Sequence, residues 1–333
     1  MEGGDEKGIV CVTGGAGYLA SWLIMRLLQH GYSVRTTVRS DPKFKEDISH
    51  LKSLPGAPEK LQIFEADLDK PESFNDAIDG CVGVFHVAHP IEHEGKIPQE
   101  TITKTSVEGT IGILKSCLKS KTVKRVVCTS SVVAAKEISN IRDVKEIDEN
   151  MWTEVDILRE LEVPGISYSV SKTLTERAAL EFAQEHGLDL VTILPSMIVG
   201  PFIIPNLPSS ISVALSLILG NEEHNKLTKV MKPTNAVHID DVASAQIFLF
   251  ESPKAKGRHI CSAIDITIHD VAKFIAKKYP ELQLSTKLLE EIEEEEPIHF
   301  SSQKLLSLGF KFKYGFEDMY DDAIQSCKEK GFL

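Results

Sequence analysis

The chain has 333 residues, a formal net charge of −12 and an apolar content of 42%. These values describe a globular protein that has room for one large or two ordinary domains. The negative charge argues against a general basic surface for nucleic acid, although a small anionic ligand in a local basic pocket remains compatible with it.

No two of the six cysteines are close enough along the chain to suggest a CxxC pair or a zinc cluster, so the sequence indicates no metal site. The sequence MEGGDEKG at the N-terminus lacks the basic start and long apolar stretch of a signal peptide. No apolar run approaches the roughly 20 residues of a membrane span. We therefore expect a cytoplasmic protein in a reducing compartment, with neither a membrane nor a nucleic acid as its partner.

Strand-like apolar runs alternate with helix-like segments through the first 195 residues. The predicted strands are 8–13, 32–39, 61–67, 82–88, 124–130 and 188–195. A first helix that ends at Gly31 and further helices near 41–54, 71–79, 98–120 and 168–187 lie between them. This alternation predicts an α/β fold with a doubly wound parallel sheet of the Rossmann type.

The regular alternation ends after Pro195, where residues 200–210 are rich in proline, glycine and serine and predict a loop. We expect a dinucleotide-binding domain over 1–195, with a returning segment at about 234–262. A smaller C-terminal substrate-binding lobe would then comprise 196–233 and 263–333.

The stretch VTGGAGYLAS (12–21) leaves the first strand and enters the first helix. Gly14, Gly17 and Ala20 match the spacing of a dinucleotide-binding turn, in which glycine lets the backbone approach a pyrophosphate at the helix N-terminus. A plain tight turn is the alternative, because glycine-rich turns are common. The strand before and the helix after this stretch favour the dinucleotide.

The end of the second strand bears on which dinucleotide binds. Arg39 stands where an arginine would accommodate the 2′-phosphate of NADP, and Lys43 and Lys45 follow it. Asp41 argues for NAD instead, because an acidic residue there would bind the ribose hydroxyls. The alternative for the three basic residues is a plain surface turn. The sequence favours NADP(H) and leaves NAD(H) possible.

The ends of the third and fourth strands supply further candidates. Asp67 could hydrogen-bond the adenine edge, or it could simply close a turn. Val87 and Ala88 end the fourth strand, where a sheet of this kind borders its ligand crevice.

Tyr168 and Lys172 are four residues apart in ISYSVSKTL (166–174), so on a helix they lie one turn apart on one face. A cation near a phenol favours phenolate, so Lys172 would lower the pKa of Tyr168. The alternative is an ordinary amphipathic helix start. Such a tyrosine can donate or accept a proton during hydride transfer. Ser130 and Ser131 end the fifth strand, where a hydroxyl could orient the substrate oxygen.

The chain resembles the extended short-chain dehydrogenase/reductase superfamily in TGGAGYLAS, the strand-ending Arg39, EADL, CTSS and the Tyr168–Lys172 pair. The segments FHVAHP, KTVKRVVCTSS, ILPSMIVGPF, AVHIDDVA and KYPE are similar to the plant dihydroflavonol reductase-like branch, which includes vestitone, anthocyanidin and cinnamoyl-CoA reductases. The resemblance covers almost the whole chain. It implies an NAD(P)-dependent oxidoreductase of plant specialised metabolism.

The resemblance also implies roles for individual residues. Tyr168 would be the general acid or base, Lys172 would bind the nicotinamide ribose, and Ser131 matches the catalytic serine. The cofactor-binding residues are expected to be Gly14, Gly17, Tyr18, Leu19, Arg39, Lys45, Asp67, Leu68, Val87, Ala88, Thr129, Tyr168, Lys172 and Pro195.

Substrate selection is expected from segments 89–97, 132–167 and 200–232. The branch often has Ser-Ala-Gly where this chain has Ser131-Val132-Val133, and Thr or Ser where it has His89. These departures weigh against a flavonoid substrate. We expect substrate contacts from His89, Val132, Met197 and Phe202, with plain pocket lining as the alternative for His89 and a structural role for His238, Asp240 and Asp241.

Two classes of function remain open at this point. The first is an oxidoreductase that acts on an alcohol, a hemiacetal or a carbonyl of an aromatic metabolite, as a monomer or weak homodimer. The second is a non-catalytic NAD(P)-binding sensor, since a fold alone does not imply activity. The direction of the reaction is open too, because the same tyrosine serves oxidation and reduction.

Overall fold

The computed structural model describes residues 7–39, 47–90, 97–136, 144–159, 166–220, 225, 228–229, 235–292 and 296–333. Its strands are β1 (Ile9–Thr13), β2 (Ser33–Val38), β3 (Leu61–Glu65), β4 (Gly83–His86), β5 (Arg125–Thr129), β6 (Glu146–Ile147), β7 (Leu190–Pro195), β8 (Met197–Val199), β9 (Asn235–His238), β10 (Gly257–Cys261), β11 (Ile264–Asp265) and β12 (His299–Phe300).

Its helices are α1 (Tyr18–Gln29), α2 (Ser49–Lys52), α3 (Ala57–Lys60), α4 (Asn75–Ile78), α5 (Gln99–Ser120), α6 (Val133–Lys136), α7 (Val155–Arg159), α8 (Ile166–His186), α9 (Ser209–Ala214), α10 (Ser216–Leu219), α11 (Ile239–Glu251), α12 (Ile268–Lys278), α13 (Thr286–Glu291), α14 (Gln303–Ser307) and α15 (Phe316–Glu329). A 3₁₀ turn at Pro71–Phe74 precedes α4.

A seven-stranded parallel sheet in the order β3-β2-β1-β4-β5-β7-β10 forms the centre of the molecule. The strand order reverses between β1 and β4, so the carboxyl ends of these strands border a crevice of the kind that holds a ligand. The predicted doubly wound fold is confirmed.

Both faces of the sheet are covered, because alternate strand residues point into separate cores. Val10 and Val12 of β1 pack in a cluster with residues of α1 and α11. Cys11, between them, packs on the opposite face in a cluster with residues of α5 and α8. This two-sided burial explains why the strands read as continuous apolar runs.

The chain beyond β7 forms a second, smaller core. Strands β8, β9 and β11 make a three-stranded sheet, and residues of α9, α12 and α15 pack into the same cluster. The chain then returns to the large sheet, where β10 pairs with β7. The returning segment therefore contributes β9 to the small sheet and β10 to the large one.

His238, Asp240 and Asp241 connect distant elements. His238 accepts a hydrogen bond from the Asp240 amide at 3.1 Å, which caps α11, and its ring stacks on Tyr314. Asp240 accepts the indole N–H of Trp22 at 2.9 Å, and Asp241 accepts amides of the 313–314 segment. These contacts support the structural role expected from the sequence.

Several details differ from the sequence expectations. The helix expected over 41–54 is described only as α2, and residues 40–46 lie outside the described part of the chain. The segment 71–79 divides into the 3₁₀ turn and α4. All six cysteines are buried and free. Across the described ranges there is no group of three metal-ligating side chains, and no helix there is long and apolar enough to cross a membrane.

Candidate active site

The glycine-rich turn lies between β1 and α1, at the reversal of strand order. Gly14 has a φ of +75°, and a Cβ there would lie 3.0 Å from the Ala88 Cα of the neighbouring strand end. Gly17 is the N-cap of α1 and carries no side chain, so the first N–H groups of the helix stay open to an anion. A side chain at either glycine would narrow this cradle, whose geometry suits a dinucleotide pyrophosphate.

Gly15 has a packing role that the sequence analysis missed. Its amide donates to the Thr37 carbonyl at 2.8 Å, which draws the turn against β2. A Cβ at Gly15 would lie only 2.1 Å from Thr36 Oγ1. The sequence pattern singled out Gly14 and Gly17, whereas the fit of the turn against β2 depends on the glycine next to Gly14.

Thr13 and His86 organise the ends of β1 and β4. Thr13 Oγ1 accepts the amides of Val87 and Ala88 at 3.1 and 3.0 Å, so its single proton is directed to His86 Nδ1 at 2.9 Å. His86 Nε2 is then protonated and donates to Thr110 Oγ1 at 2.8 Å. Burial, followed by the charge of Lys172, lowers the pKa of His86 to about 3. The histidine is neutral, and this network fixes the strand end that the sequence assigned to the cofactor.

The structure describes three of the four residues that were predicted to bind the adenosine half of the cofactor. Arg39 follows β2 and is exposed, while Lys45 lies outside the described residues. The Asp67 carboxylate accepts the Asp69 amide at 3.0 Å, which is the turn-closing arrangement that was the alternative for this residue. Leu68 packs against α5 at Gly109, where a Cβ would lie 2.8 Å from Leu68 Cδ2.

Ser131, Tyr168 and Lys172 converge at the carboxyl end of β5. The hydroxyls of Ser131 and Tyr168 share a hydrogen bond. Lys172 Nζ donates to the Thr129 carbonyl at 3.0 Å and lies 5.9 Å from the centroid of the Tyr168 ring. All three groups therefore sit together, on α8 and on the turn after β5, in the order that the sequence predicted.

Ser130 does not join this group. Its hydroxyl donates to Glu176 Oε2 at 2.7 Å. The structure thus separates the two serines: Ser131, which the resemblance assigned as the catalytic serine, contacts the tyrosine, and Ser130 contacts a buried carboxylate.

The proton affinities of the pair differ from the expectation. Burial raises the pKa of Tyr168, and the hydrogen bond from Ser131 offsets this only in part. Burial also lowers the pKa of Lys172 to about 8, against the opposing influence of Cys128 and Glu176. The expected lowering of the Tyr168 pKa is therefore wrong, because desolvation of the phenolate by burial dominates.

His89 lies against Tyr168, with ring centroids 5.6 Å apart in an edge-to-face arrangement. Thr175 Oγ1 donates to Ser106 Oγ at 2.9 Å, so the Ser106 proton is directed to His89 Nδ1, also at 2.9 Å. This leaves the proton on Nε2, whose nearest protein partner is Ser171 Oγ at 3.5 Å. Burial lowers the pKa of His89 well below its usual value. His89 is thus a neutral donor beside the tyrosine.

The residues predicted to contact the substrate, together with Tyr18, lie in different parts of the fold. Tyr18 donates to the Gly200 carbonyl at 3.2 Å and packs edge-on against Phe202, which is only 3% exposed within the second core. Val132 packs in a small cluster beside β7 and β10, and Met197 is partly buried at the margin of the second core.

Three other predicted cofactor residues also have structural contacts. Leu19 is buried in the main core. Thr129 donates to Gln246 Oε1 at 3.2 Å, and the Pro195 carbonyl accepts the Val132 amide at 3.1 Å. Their contacts to ligands stay predictions.

The chain is similar along its full length to characterised plant enzymes. Residues 10–262 match the NAD dependent epimerase/dehydratase family. The chain is 63% identical to noscapine synthase SDR1 of Papaver somniferum, covering 100% of this chain and 95% of that protein. It is 49% identical to vestitone reductase of Medicago sativa, over 99% of both.

The fold is similar as well. The crystal structure of alfalfa vestitone reductase superimposes with a TM-score of 0.85 at 47% identity, over 98% of this chain and 100% of that one. The glycine cradle, the strand-end network and the serine–tyrosine–lysine group agree with this kinship. The chain belongs to the NAD dependent epimerase/dehydratase family, in its plant dihydroflavonol reductase-like branch, and is an NAD(P)-dependent oxidoreductase of plant specialised metabolism.

Proposed function

We propose that this enzyme oxidises the hydroxyl of a cyclic hemiacetal to a lactone, as in the conversion of narcotine hemiacetal to noscapine in benzylisoquinoline alkaloid biosynthesis. The observation that carries the proposal is the 63% identity to noscapine synthase along the whole chain. The assembled Ser131, Tyr168 and Lys172 support it. The second lobe, residues 196–233 and 263–333, would hold the aromatic body of the substrate against the dinucleotide-binding domain.

We propose a role for each of these side chains. A nicotinamide held beside Lys172 would supply the acceptor for the hydride that leaves the hemiacetal carbon. Tyr168 takes the proton of the hydroxyl, and Ser131 donates a hydrogen bond to the same oxygen. Lys172 binds the nicotinamide ribose and keeps a positive charge beside the phenol. His89 Nε2–H is placed to bind an oxygen of the substrate.

The test is the nicotinamide absorbance of the purified protein mixed with narcotine hemiacetal, with NAD⁺ and NADP⁺ in parallel. We expect cofactor reduction together with noscapine formation. Tyr168→Phe keeps the aromatic ring and should lose activity by about 10²–10⁴-fold, the usual contribution of a positioned acid or base. Normal turnover by this variant would refute the role of Tyr168.

A second candidate is an NADPH-dependent ketone reductase of the vestitone or dihydroflavonol type. The raised pKa of Tyr168 favours it, because a protonated phenol is the form that donates to a developing alkoxide. No reaction with the hemiacetal, but oxidation of NADPH with a ketone panel, would select this candidate. Nucleotide binding without turnover of the hemiacetal or of any ketone in the panel would select the non-catalytic sensor.

We also propose that NADP(H) is the preferred cofactor, with Arg39 as the contact to the 2′-phosphate. A charge-assisted hydrogen bond contributes about 1.5–3 kcal/mol, so Arg39→Ser should weaken NADPH binding by roughly 10–100-fold and leave NADH binding unchanged. Comparable affinity of the unmodified protein for both nucleotides would contradict the role. We further propose that the protein is cytoplasmic and is a monomer or weak homodimer; sedimentation of the purified protein would test the oligomeric state.

A further inference from the structure

Glu176 is a buried carboxylate directly behind the catalytic group. It lies on α8 one turn after Lys172, which itself lies one turn after Tyr168, so the three side chains project from one stripe of the helix. Glu176 is only 2% exposed. The proton transfer described above does not use it.

The hydrogen bonds of this carboxylate come from three different parts of the fold. Oε2 accepts from Ser130 at 2.7 Å, after β5, and Oε1 accepts from Thr192 of β7 at 2.6 Å. Arg258 of β10 forms a buried ion pair with it, with Nε 3.0 Å from Oε1. Glu176 thus joins α8 to β7, to β10 and to the turn after β5.

Arg258 extends this connection toward the substrate side. Its guanidinium donates to the Glu149 carbonyl at 2.9 Å and to the Ala134 carbonyl at 3.3 Å, and it lies 3.6 Å from the centroid of the Trp152 ring. These contacts fall in segment 132–167, one of the segments expected to select the substrate. The ion pair therefore lies between that segment and the catalytic helix.

Glu176 also balances charge at Lys172. The titratable groups that face Lys172 are Tyr168 and Glu176 on α8, Cys128 on β5, and His86 and His89 at the end of β4. Both histidines are neutral, and burial raises the pKa of the Cys128 thiol to about 12. Within the described part of the chain, Glu176 is the carboxylate that offsets the ammonium.

We propose that Glu176, held by Arg258, is a positioning residue that fixes the Ser130–Ser131 turn against α8 and keeps Lys172 protonated at working pH. The proposal rests on the oxidoreductase function for the role of Ser131 and Lys172. It separates two actions of one carboxylate: a hydrogen bond that orients the serine turn, and a negative charge that acts on the lysine.

Two variants separate these actions. Glu176→Gln keeps the shape but removes the charge, and Ser130→Ala removes only the hydrogen bond. Glu181→Gln removes an exposed carboxylate from the same helix and is the matched control. The measurements on the full chain are NADPH binding by fluorescence from pH 6.5 to 9.5 without substrate, thermal unfolding without nucleotide, and kcat and KM for the substrate that the wild type turns over.

We expect Glu176→Gln to move the pH midpoint of NADPH binding downward by about one unit, because an opposite charge near a lysine raises its pKa by one unit or more. Its kcat should fall at least about tenfold, with KM changed by less than about twofold. Ser130→Ala should lower kcat and leave the pH midpoint in place. Glu181→Gln should match the wild type in all three measurements.

The proposal is overturned if Glu176→Gln and Ser130→Ala lose thermal stability while their kcat and pH midpoint equal those of the wild type. That result would make the ion pair a purely structural feature. If Glu176→Gln does not fold, an unchanged kcat of Ser130→Ala overturns the orienting role. If the wild type turns over neither hemiacetal nor ketone, the proposed function fails, and the pH midpoint of NADPH binding still decides the action on Lys172.

Discussion

Gly15→Ala tests how tightly the cofactor turn packs against β2. The new Cβ would lie 2.1 Å from Thr36 Oγ1 and 3.1 Å from Thr36 Cβ and Cγ2. Thr36 is fully buried and donates to the Val12 carbonyl at 2.8 Å, so it has no open space into which to turn. Overpacking costs about 1–3 kcal/mol and the lost hydrogen bond about 1 kcal/mol more. We therefore expect a loss of about 2–4 kcal/mol in the free energy of unfolding.

Urea unfolding and NADPH titration measure the two consequences, stability and nucleotide affinity. Thr36→Ala removes Oγ1 and Cγ2, so the double variant should recover about 1–2 kcal/mol relative to the sum of the single changes. Gly31→Ala is the control, because Gly31 has a φ of +89° but a Cβ added there would meet no atom within 4 Å. It should lose about 1–2 kcal/mol from backbone strain alone and bind NADPH normally. A Gly15→Ala protein as stable as the wild type, or no recovery in the double variant, would refute the packing argument.

Three further predictions concern other parts of the structure. His86 is buried and neutral, with its pKa lowered to about 3, so the stability that it contributes as a neutral group is complete above pH 6.5. The free energy of unfolding should then fall as the pH drops from 6.5 toward 3, by up to about 1.4 kcal/mol per pH unit. Urea unfolding between pH 7 and 4 should show a weaker pH dependence of stability for His86→Gln than for the wild type, and equal dependence would contradict this. Arg125 donates to the Leu249 carbonyl at 2.8 Å and pairs with Asp189, so Arg125→Met should lower the free energy of unfolding by about 2–4 kcal/mol. Lys256→Met removes the exposed partner of the same aspartate and should lower it by less than about 1 kcal/mol. Similar unfolding midpoints for the two variants would contradict this difference. His89→Phe keeps a ring against Tyr168 but removes the Nε2 donor. The KM for the substrate should therefore rise about tenfold, with the affinity for NADPH unchanged. An unchanged KM would mean that His89 only lines the pocket.

Local sequence signals were sufficient for the parts of the fold that depend on short-range order. The apolar runs of β1 to β5 and β7 and the long helices α5 and α8 were predicted within a few residues, because each carries its own pattern of burial. The four-residue spacing of Tyr168 and Lys172 placed them on one face of a helix. Strand β10 lies in the expected returning segment 234–262 but was not predicted as a strand, since GRHIC is short and its pairing with β7 is long-range.

The sequence by itself determined the family, the doubly wound sheet, the cofactor turn and the serine–tyrosine–lysine group, because these rest on residue types at fixed spacing. Only the tertiary structure decided that Ser130 contacts Glu176, which proton state His86 and His89 adopt, and that burial raises rather than lowers the pKa of Tyr168. It also brought Glu176 and Arg258 together across 82 positions of sequence. Desolvation and hydrogen-bond partnership depend on what surrounds a side chain in space, and no local pattern of residues specifies that.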